Sequence, residues 1–253
     1  MKKLALCFAI VGLSAAAALA ADDVTSVNVV GFSKVTLPPG SQTGIVMIAM
    51  QFDAFDPTLM GVFGTNQLRP ATKVGNADQV WLWNVQRQEY DKYALKTDLQ
   101  YRAATNWSGP ATNPPLVSGQ GMFIKAGAST TQTNTLTLMG QVVAYGSIET
   151  DIKAGWQLIS YPFTCDVGLG AMSFTNVGAG TAASKVGNAD NIRIWNGTSW
   201  DSYGLKSSDR QWHNTTNWSG PAVNPNVLLS QGFWYIAKSD FTWTETNKYL
   251  NNL

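Results

Sequence analysis

The sequence predicts an all-β protein built from two tandem, homologous, sandwich-like units. Three observations predict it. First, Lys-Val-Gly-Asn-Ala-Asp at 73–78 returns unchanged at 185–190, and Thr-Asn-Trp-Ser-Gly-Pro-Ala at 105–111 returns at 216–222, shifts of 112 and 111 residues. Two matches at nearly one shift identify an internal repeat of roughly 110 residues, an ordinary domain size. Second, apolar residues come in short alternating or continuous runs bounded by Gly, Pro and Asn, as strands do. Third, no segment sustains a 3.6-residue apolar period over the length of an ordinary helix.

The chain opens Met1-Lys2-Lys3, runs apolar through 4–19, and places Ala18-Leu19-Ala20 before Asp22-Asp23. That pattern predicts a secretory signal peptide over 1–20, too short and wrongly flanked for a spanning helix. Cys7 lies inside the apolar run, which does not suit a lipoprotein anchor. The expected organisation is therefore a leader at 1–20, a first unit at 21–143 and a second at 144–253, exported from the cytoplasm. Without Lys2 and Lys3 the chain keeps 15 basic against 16 acidic residues, a net charge of −1. Charged residues are 13% of the sequence, about half the usual ~25%. No basic stripe suits nucleic acid, and no polybasic patch suits a membrane surface. Cys165 is the single cysteine beyond the leader, which rules out an intramolecular disulfide, and a small buried hydrophobe is its expected role.

In the first unit, residues 27–37 are β-branched and predict one bent or two short strands, broken near Gly31. Pro38-Pro39-Gly40 ends them. Residues 44–50 are apolar at almost every position, as in a strand buried on both faces. Residues 53–72 predict a loop with one helical turn at Leu59-Met60 and Val62-Phe63. A strand at 80–84 pairs with 89–96 as a hairpin. Residues 105–115 predict a surface loop, and strands at 121–125 and 136–142 close the unit.

The second unit repeats this plan, with strands at 155–162, 192–196, 200–206, 232–236 and 241–245. Its hairpin is shorter and turns at Asn196-Gly197, a strong hairpin signal. The two copies work as an alignment within one chain. Val80/Ile192 and Leu82/Ile194 stay apolar and define the core face. On the other face Trp81 becomes Arg193 while Trp83 remains Trp195, so that face is expected to be partly open. An alternative architecture is one pseudo-twofold sandwich or barrel in which the N-terminal strand completes the second unit. An outer-membrane barrel does not fit, because its ~10-residue alternating segments do not recur.

Three pieces occur in order: a Gly-Trp-x-Leu-Ile-Ser-x-Pro strand, a Trp-Asn-Gly-x-x-Trp hairpin and a Gln-Gly-aromatic-aromatic strand. They fit clearly at 155–162, 195–200 and 231–234, and more loosely in the first unit, where Ile45 stands for the Trp and Gln51 for the Pro. This resembles the Trp-rich β modules of secreted and surface-anchored proteins of environmental Gram-negative bacteria. The resemblance covers most of the chain beyond the leader. It implies an extracellular, cell-surface or periplasmic location and a β fold, and no activity, since its motifs occupy core and turn positions.

Few residues suit chemistry. His213 is the only histidine, and no Gly-x-Ser-x-Gly elbow accompanies it. It is expected in an exposed loop. One Cys and one His beyond the leader cannot make an ordinary zinc site. Asn76 and Asp78 lack the run of oxygen ligands of a calcium loop, and Gly75 and Gly187 lead into no phosphate loop. Asp78/Asp190 and Asp91/Asp201 are duplicated carboxylates. A glycosidase pair is asymmetric, so a turn role for Gly-Asn-Ala-Asp, with Asn and Asp bonding backbone amides, is expected instead. Neither a cofactor nor a metal is expected.

The ten tryptophans remain. Trp is flat and amphipathic and recurs at contact surfaces. Trp81, Trp83, Tyr90 and Asp91 in the first unit, with Trp195, Trp200 and Asp201 in the second, are the candidate binding residues, followed by the loop residues Trp107 and Trp218. The expected function is a non-catalytic protein of the cell envelope or extracellular matrix, acting by self-association or partner binding. A carbohydrate-binding module is the alternative and a glycoside hydrolase the third reading. Polysaccharide, other envelope proteins or further copies of the chain are the expected partners.

Overall fold

The computed structural model describes residues 29–42, 44–196 and 198–248. The expected leader, with residues 27 and 28 of the first strand and Gly197 of the second hairpin, lies outside the described residues. The fold is all-β, 42% strand against 9% helix, and every pairing between strands is antiparallel.

The first unit contains β1 (Val30–Leu37), β2 (Ile45–Ala49), β3 (Phe52–Asp53), a short helix α1 (Leu59–Phe63), β4 (Gln79–Asn84), β5 (Glu89–Leu95), β6 (Tyr101–Ala103), β7 (Gly121–Lys125) and β8 (Asn134–Val142). These strands form a five-stranded sheet in the order β2-β7-β4-β5-β6 and a three-stranded sheet in the order β1-β8-β3. Ile48, Val80, Leu82, Met122 and Ile124 from the larger sheet and Leu136 and Leu138 from the smaller share one core. The helical turn predicted near Leu59 is α1, capped by the Thr58 hydroxyl, which accepts from the Gly61 amide.

The second unit contains β9 (Ser147–Ile152), β10 (Gly155–Ile159), β11 (Val167–Gly168), β12 (Asn191–Trp195), β13 (Trp200–Leu205), β14 (Trp212–Asn214), β15 (Asn226–Val227), β16 (Phe233–Ala237) and β17 (Phe241–Thr246). Its large sheet runs β10-β16-β12-β13-β14, the same order as its counterpart. β9 pairs with β17 opposite it, and β11 pairs with β15 as a small ribbon. The core here is aromatic: Phe174 stacks between Tyr235 (4.4 Å) and Trp243 (4.1 Å).

Three expectations need correction. β1 is one continuous strand through Gly31, not broken there. Gly31 faces Gly140, and a Cβ on Gly31 would lie 2.6 Å from Phe52 Cε1. The glycine serves close packing of β3 against the β1–β8 pair, not a bend. The alternative in which the N-terminal strand completes the second unit is not the arrangement seen, because β1 pairs with β8 of its own unit. His213 is on β14 and 3% exposed, not in an exposed loop.

The units also meet. β2 is buried on both faces because Ile48 enters the core of the first unit while Met47 packs with Leu158 and Trp234 of the second. The backbone contacts repeat about a pseudo-twofold axis. The Ala49 amide donates to the Ser230 carbonyl and the Ser160 amide to the Gly119 carbonyl, both at 2.9 Å. Leu229 of the second unit packs against the core of the first.

Candidate functional site

Alternation places Trp81 and Trp83 of β4, and Tyr90 and Lys92 of β5, on the outward face of the first unit's large sheet. Trp81 lies opposite Lys92 and Trp83 opposite Tyr90. Phe123 of β7 joins them beside Trp81. In the second unit the same alternation turns Arg193 and Trp195 of β12 outward, beside Trp234 of β16 and Trp200 of β13.

The two faces are not both free, because they close on each other. Trp83 meets Trp234 edge-on at 4.9 Å and Tyr90 at 4.9 Å. Trp234 lies 5.4 Å from Trp156. The Trp83 indole N–H donates to the Trp156 carbonyl at 2.6 Å. Gln88, in the longer hairpin loop that only the first unit has, accepts from the Trp156 amide at 2.9 Å and donates to its carbonyl at 3.1 Å. That added loop length therefore closes the interface. Burial in this cluster pushes the Tyr90 phenol up to about 12. The face expected to be partly open is consequently half-buried at Trp83, Tyr90 and Trp195.

What remains accessible lies beside that contact. Trp200 is 36% exposed and packs at 5.2 Å on Trp195. Trp81 is half-buried, and its ring carries two ammonium groups, Lys92 Nζ at 4.2 Å and Lys125 Nζ at 5.5 Å from its centroid. Gln79 fixes the indole by accepting its N–H at 2.9 Å. In the second unit the Arg193 guanidinium lies 4.8 Å from the centroid of Trp156, which gives the exchange of Trp81 for Arg193 its partner.

Trp107 and Trp218 are elsewhere and play one repeated role. Their indoles donate to the carbonyls of Thr72 and Ser184, both at 2.8 Å. Lys96 and Lys206 donate to the carbonyls of the same two tryptophans at 3.3 and 2.9 Å. Each Trp thus pins its polar loop. Asp91 and Asp201 brace the hairpins, accepting from Asn84 and Asn196 at 3.2 Å each, and Asp91 also pairs with Arg87.

The other duplicated carboxylates are structural as well. Asp78 accepts from the amides of Arg69 (2.9 Å) and Gly127 (2.8 Å). Asp190 accepts from the Thr181 amide (2.8 Å), the Tyr235 hydroxyl (2.7 Å) and the Lys238 amide (2.7 Å). Burial raises the Asp190 carboxyl above its ordinary range against these bonds. His213 lies between the Gly220 carbonyl and the Asp209 carboxylate, 2.9 Å from each, so neither ring nitrogen is left to activate a nucleophile. Cys165 is half-buried against the second core, and burial raises its thiol.

Sequence reasoning identified the hairpin tryptophans but missed Lys92, Lys125 and the partners Trp156, Trp234 and Gln88. The two lysines were visible as alternation partners, since Lys92 falls two residues after Tyr90. Nothing local marks the contact between units. Comparison with known proteins gave no matching family model, no matching curated protein and no matching solved structure.

Proposed function

We propose that this chain is an exported, non-catalytic β-repeat protein of the bacterial cell envelope or extracellular matrix, working through contacts with further copies or with other envelope components. The observation that carries the reading is the outward face of the β1–β8 pair. Phe32 lies directly opposite Met139. They are 64% and 51% exposed, and Val30 beside them is 58% exposed. The fold does not demand apolar residues there. On the corresponding β9–β17 pair the exposed positions are Ser147, Glu149, Asp151, Thr242, Thr244 and Thr246. An apolar patch kept in one copy and polar in the other suits a contact surface. The resemblance to Trp-rich surface modules and the leader-like N-terminus support the location.

Sedimentation velocity of the purified chain tests this reading. The wild type is expected to associate with rising concentration, and the double variant Phe32→Ser, Met139→Thr to remain monomeric with the same thermal midpoint. Identical sedimentation of both proteins would remove the patch as the self-contact.

A second reading, a carbohydrate-binding module, is favoured by the accessibility of Trp81 and Trp200 beside the contact between units. A glycoside hydrolase is the least supported, because the duplicated carboxylates Asp78, Asp190, Asp91 and Asp201 are engaged in bonds that hold loops and hairpins.

A further inference from the structure

We infer that the Trp81 corner of the first unit is a docking site for an acidic polysaccharide, one whose sugar rings carry carboxylates, as uronates do. The inference rests on the carbohydrate-binding reading and adds the charge of the ligand and the residues that meet it.

The internal duplication separates residues that hold the fold from residues free to do something else. Asp78/Asp190, Lys96/Lys206 and Trp107/Trp218 make the same bonds in both units, so their roles belong to the fold. The Trp81, Lys92 and Lys125 cluster has no such counterpart, since the second unit has Arg193, Ser202 and Ile236 in those places. The fold is made without it.

Its electrostatics are lopsided. Both ammonium groups lie within 5.5 Å of one ring centroid. Among the described residues, neither has a carboxylate within 4.0 Å. No outward-facing position of β2, β7, β4 or β5 is acidic. Two ammonium groups against one ring with no carboxylate in contact leave positive charge for an arriving anion to pair with. The indole is already oriented through Gln79, so little ordering remains to oppose binding.

The aromatic component selects the kind of anion. The exposed part of the half-buried Trp81 indole, beside the two ammonium groups, supplies an apolar contact. A pyranose offers C–H groups to such a contact and carries an equatorial rim of oxygens. A carboxylate on that rim reaches Lys125, the exposed member of the lysine pair. Stacked nucleic acid would need a longer run of cations to follow successive phosphates, and this corner has two.

Affinity electrophoresis of the intact chain through gels containing polygalacturonate, neutral galactan, heparin or single-stranded DNA tests this, with oligogalacturonate titrations for dissociation constants. Retardation by polygalacturonate is expected, weakening with added salt. The double variant Lys92→Gln, Lys125→Gln should raise the oligogalacturonate dissociation constant roughly three- to thirtyfold, as two exposed charge contacts would. Its thermal midpoint should not change, and Lys185→Gln, which removes an exposed lysine of the other unit, should bind like wild type. Unchanged affinity in the double variant would overturn the assignment of the lysines. Retardation by galactan but not polygalacturonate would overturn the acidic ligand and leave the carbohydrate-binding reading standing. Retardation only by heparin or DNA would give the corner to another polyanion, and free migration on every gel would overturn both readings.

Discussion

Asp190 is sealed from solvent, yet it accepts three hydrogen bonds, two of them from main-chain amides on separate loops. Removing the carboxylate leaves the amides of Thr181 and Lys238 and the Tyr235 hydroxyl without an acceptor in a site that water does not reach. Asp190→Ala is therefore expected to lose on the order of 3 kcal/mol in urea unfolding at neutral pH. Burial, the largest influence on this carboxyl, raises its folded pKa above 3.8 against the bonds that favour the anion. A group whose folded pKa is raised contributes stability that is full below the unfolded value and is lost as pH rises through the folded value. The stability gap between wild type and Asp190→Ala should therefore be full below pH 3.8 and narrow as pH rises above it. A gap that widens with pH would show that the bonds outweigh burial. Gly31 argues at the same scale: its missing Cβ is what allows the Phe52 ring to approach, so a residue that looked like a strand breaker is a packing residue.

The polar loops after β6 and β14 are clamped by one device built from two chemistries. In the first unit Arg102 bridges Asp98 and the Gly109 carbonyl. In the second, His213 bridges Asp209 and the Gly220 carbonyl. The members correspond one to one, each displaced by 111 residues. Burial acts upward on Asp209, but bonds from the His213 ring and the Gln211 amide outweigh it and hold the carboxyl below 3.8. A depressed folded pKa gives stability that is present above the unfolded value and lost as pH falls through the folded one. Asp209→Asn should therefore be less stable than wild type at neutral pH, and the difference should shrink as pH falls below 3.8 and vanish below the lower folded value. Urea unfolding at both ends of that range checks it, and a difference independent of pH would sink the clamp as an ionic device. His213→Arg, which copies the first unit, should keep the loop in place. The clamp was hidden in the sequence because Arg and His do not look alike, although Asp98/Asp209 and Gly109/Gly220 match. The central strands β4, β5, β12 and β13 were legible, since their alternation reflects one buried face. β9 was not: its exposed positions are Ser147, Glu149 and Asp151, and it is held through its pairing with β17. β6 and β14 were missed because three residues are too few to establish a period.

At the scale of the molecule, the second unit does what a solvent-facing sheet cannot do for itself, covering the apolar side of β2 and β7 left over once the first core is filled. That contact was out of reach of the sequence, because it joins residues such as Trp83 and Trp156 that are 73 positions apart with no pattern linking them. The repeat predicted two units; it did not predict that half of the candidate aromatic face would be spent between them. One substitution does carry the asymmetry of the interface. Where the second unit has Pro162, the first has Gln51, fully buried. Gln51 donates to the carbonyls of Tyr161 (2.8 Å) and Phe163 (3.3 Å) and accepts from the Ser230 amide, so it ties three points of the second unit to the first. Trp234 is the apolar counterpart, 7% exposed and packed with Met47 and Leu158, outside either unit's own core. If these contacts make the two units one cooperative body, the wild type should unfold in a single step with coincident fluorescence and circular dichroism transitions. Trp234→Ala should then cost roughly 3–5 kcal/mol, the penalty for truncating a buried Trp, and Gln51→Ala roughly 1–3 kcal/mol through its orphaned partners. Combining the two should separate the curve into two transitions, one for each unit, since each core is left intact. A wild type that already unfolds in two steps, or a Trp234→Ala variant within about 1 kcal/mol of it, would mean that the units are only neighbours.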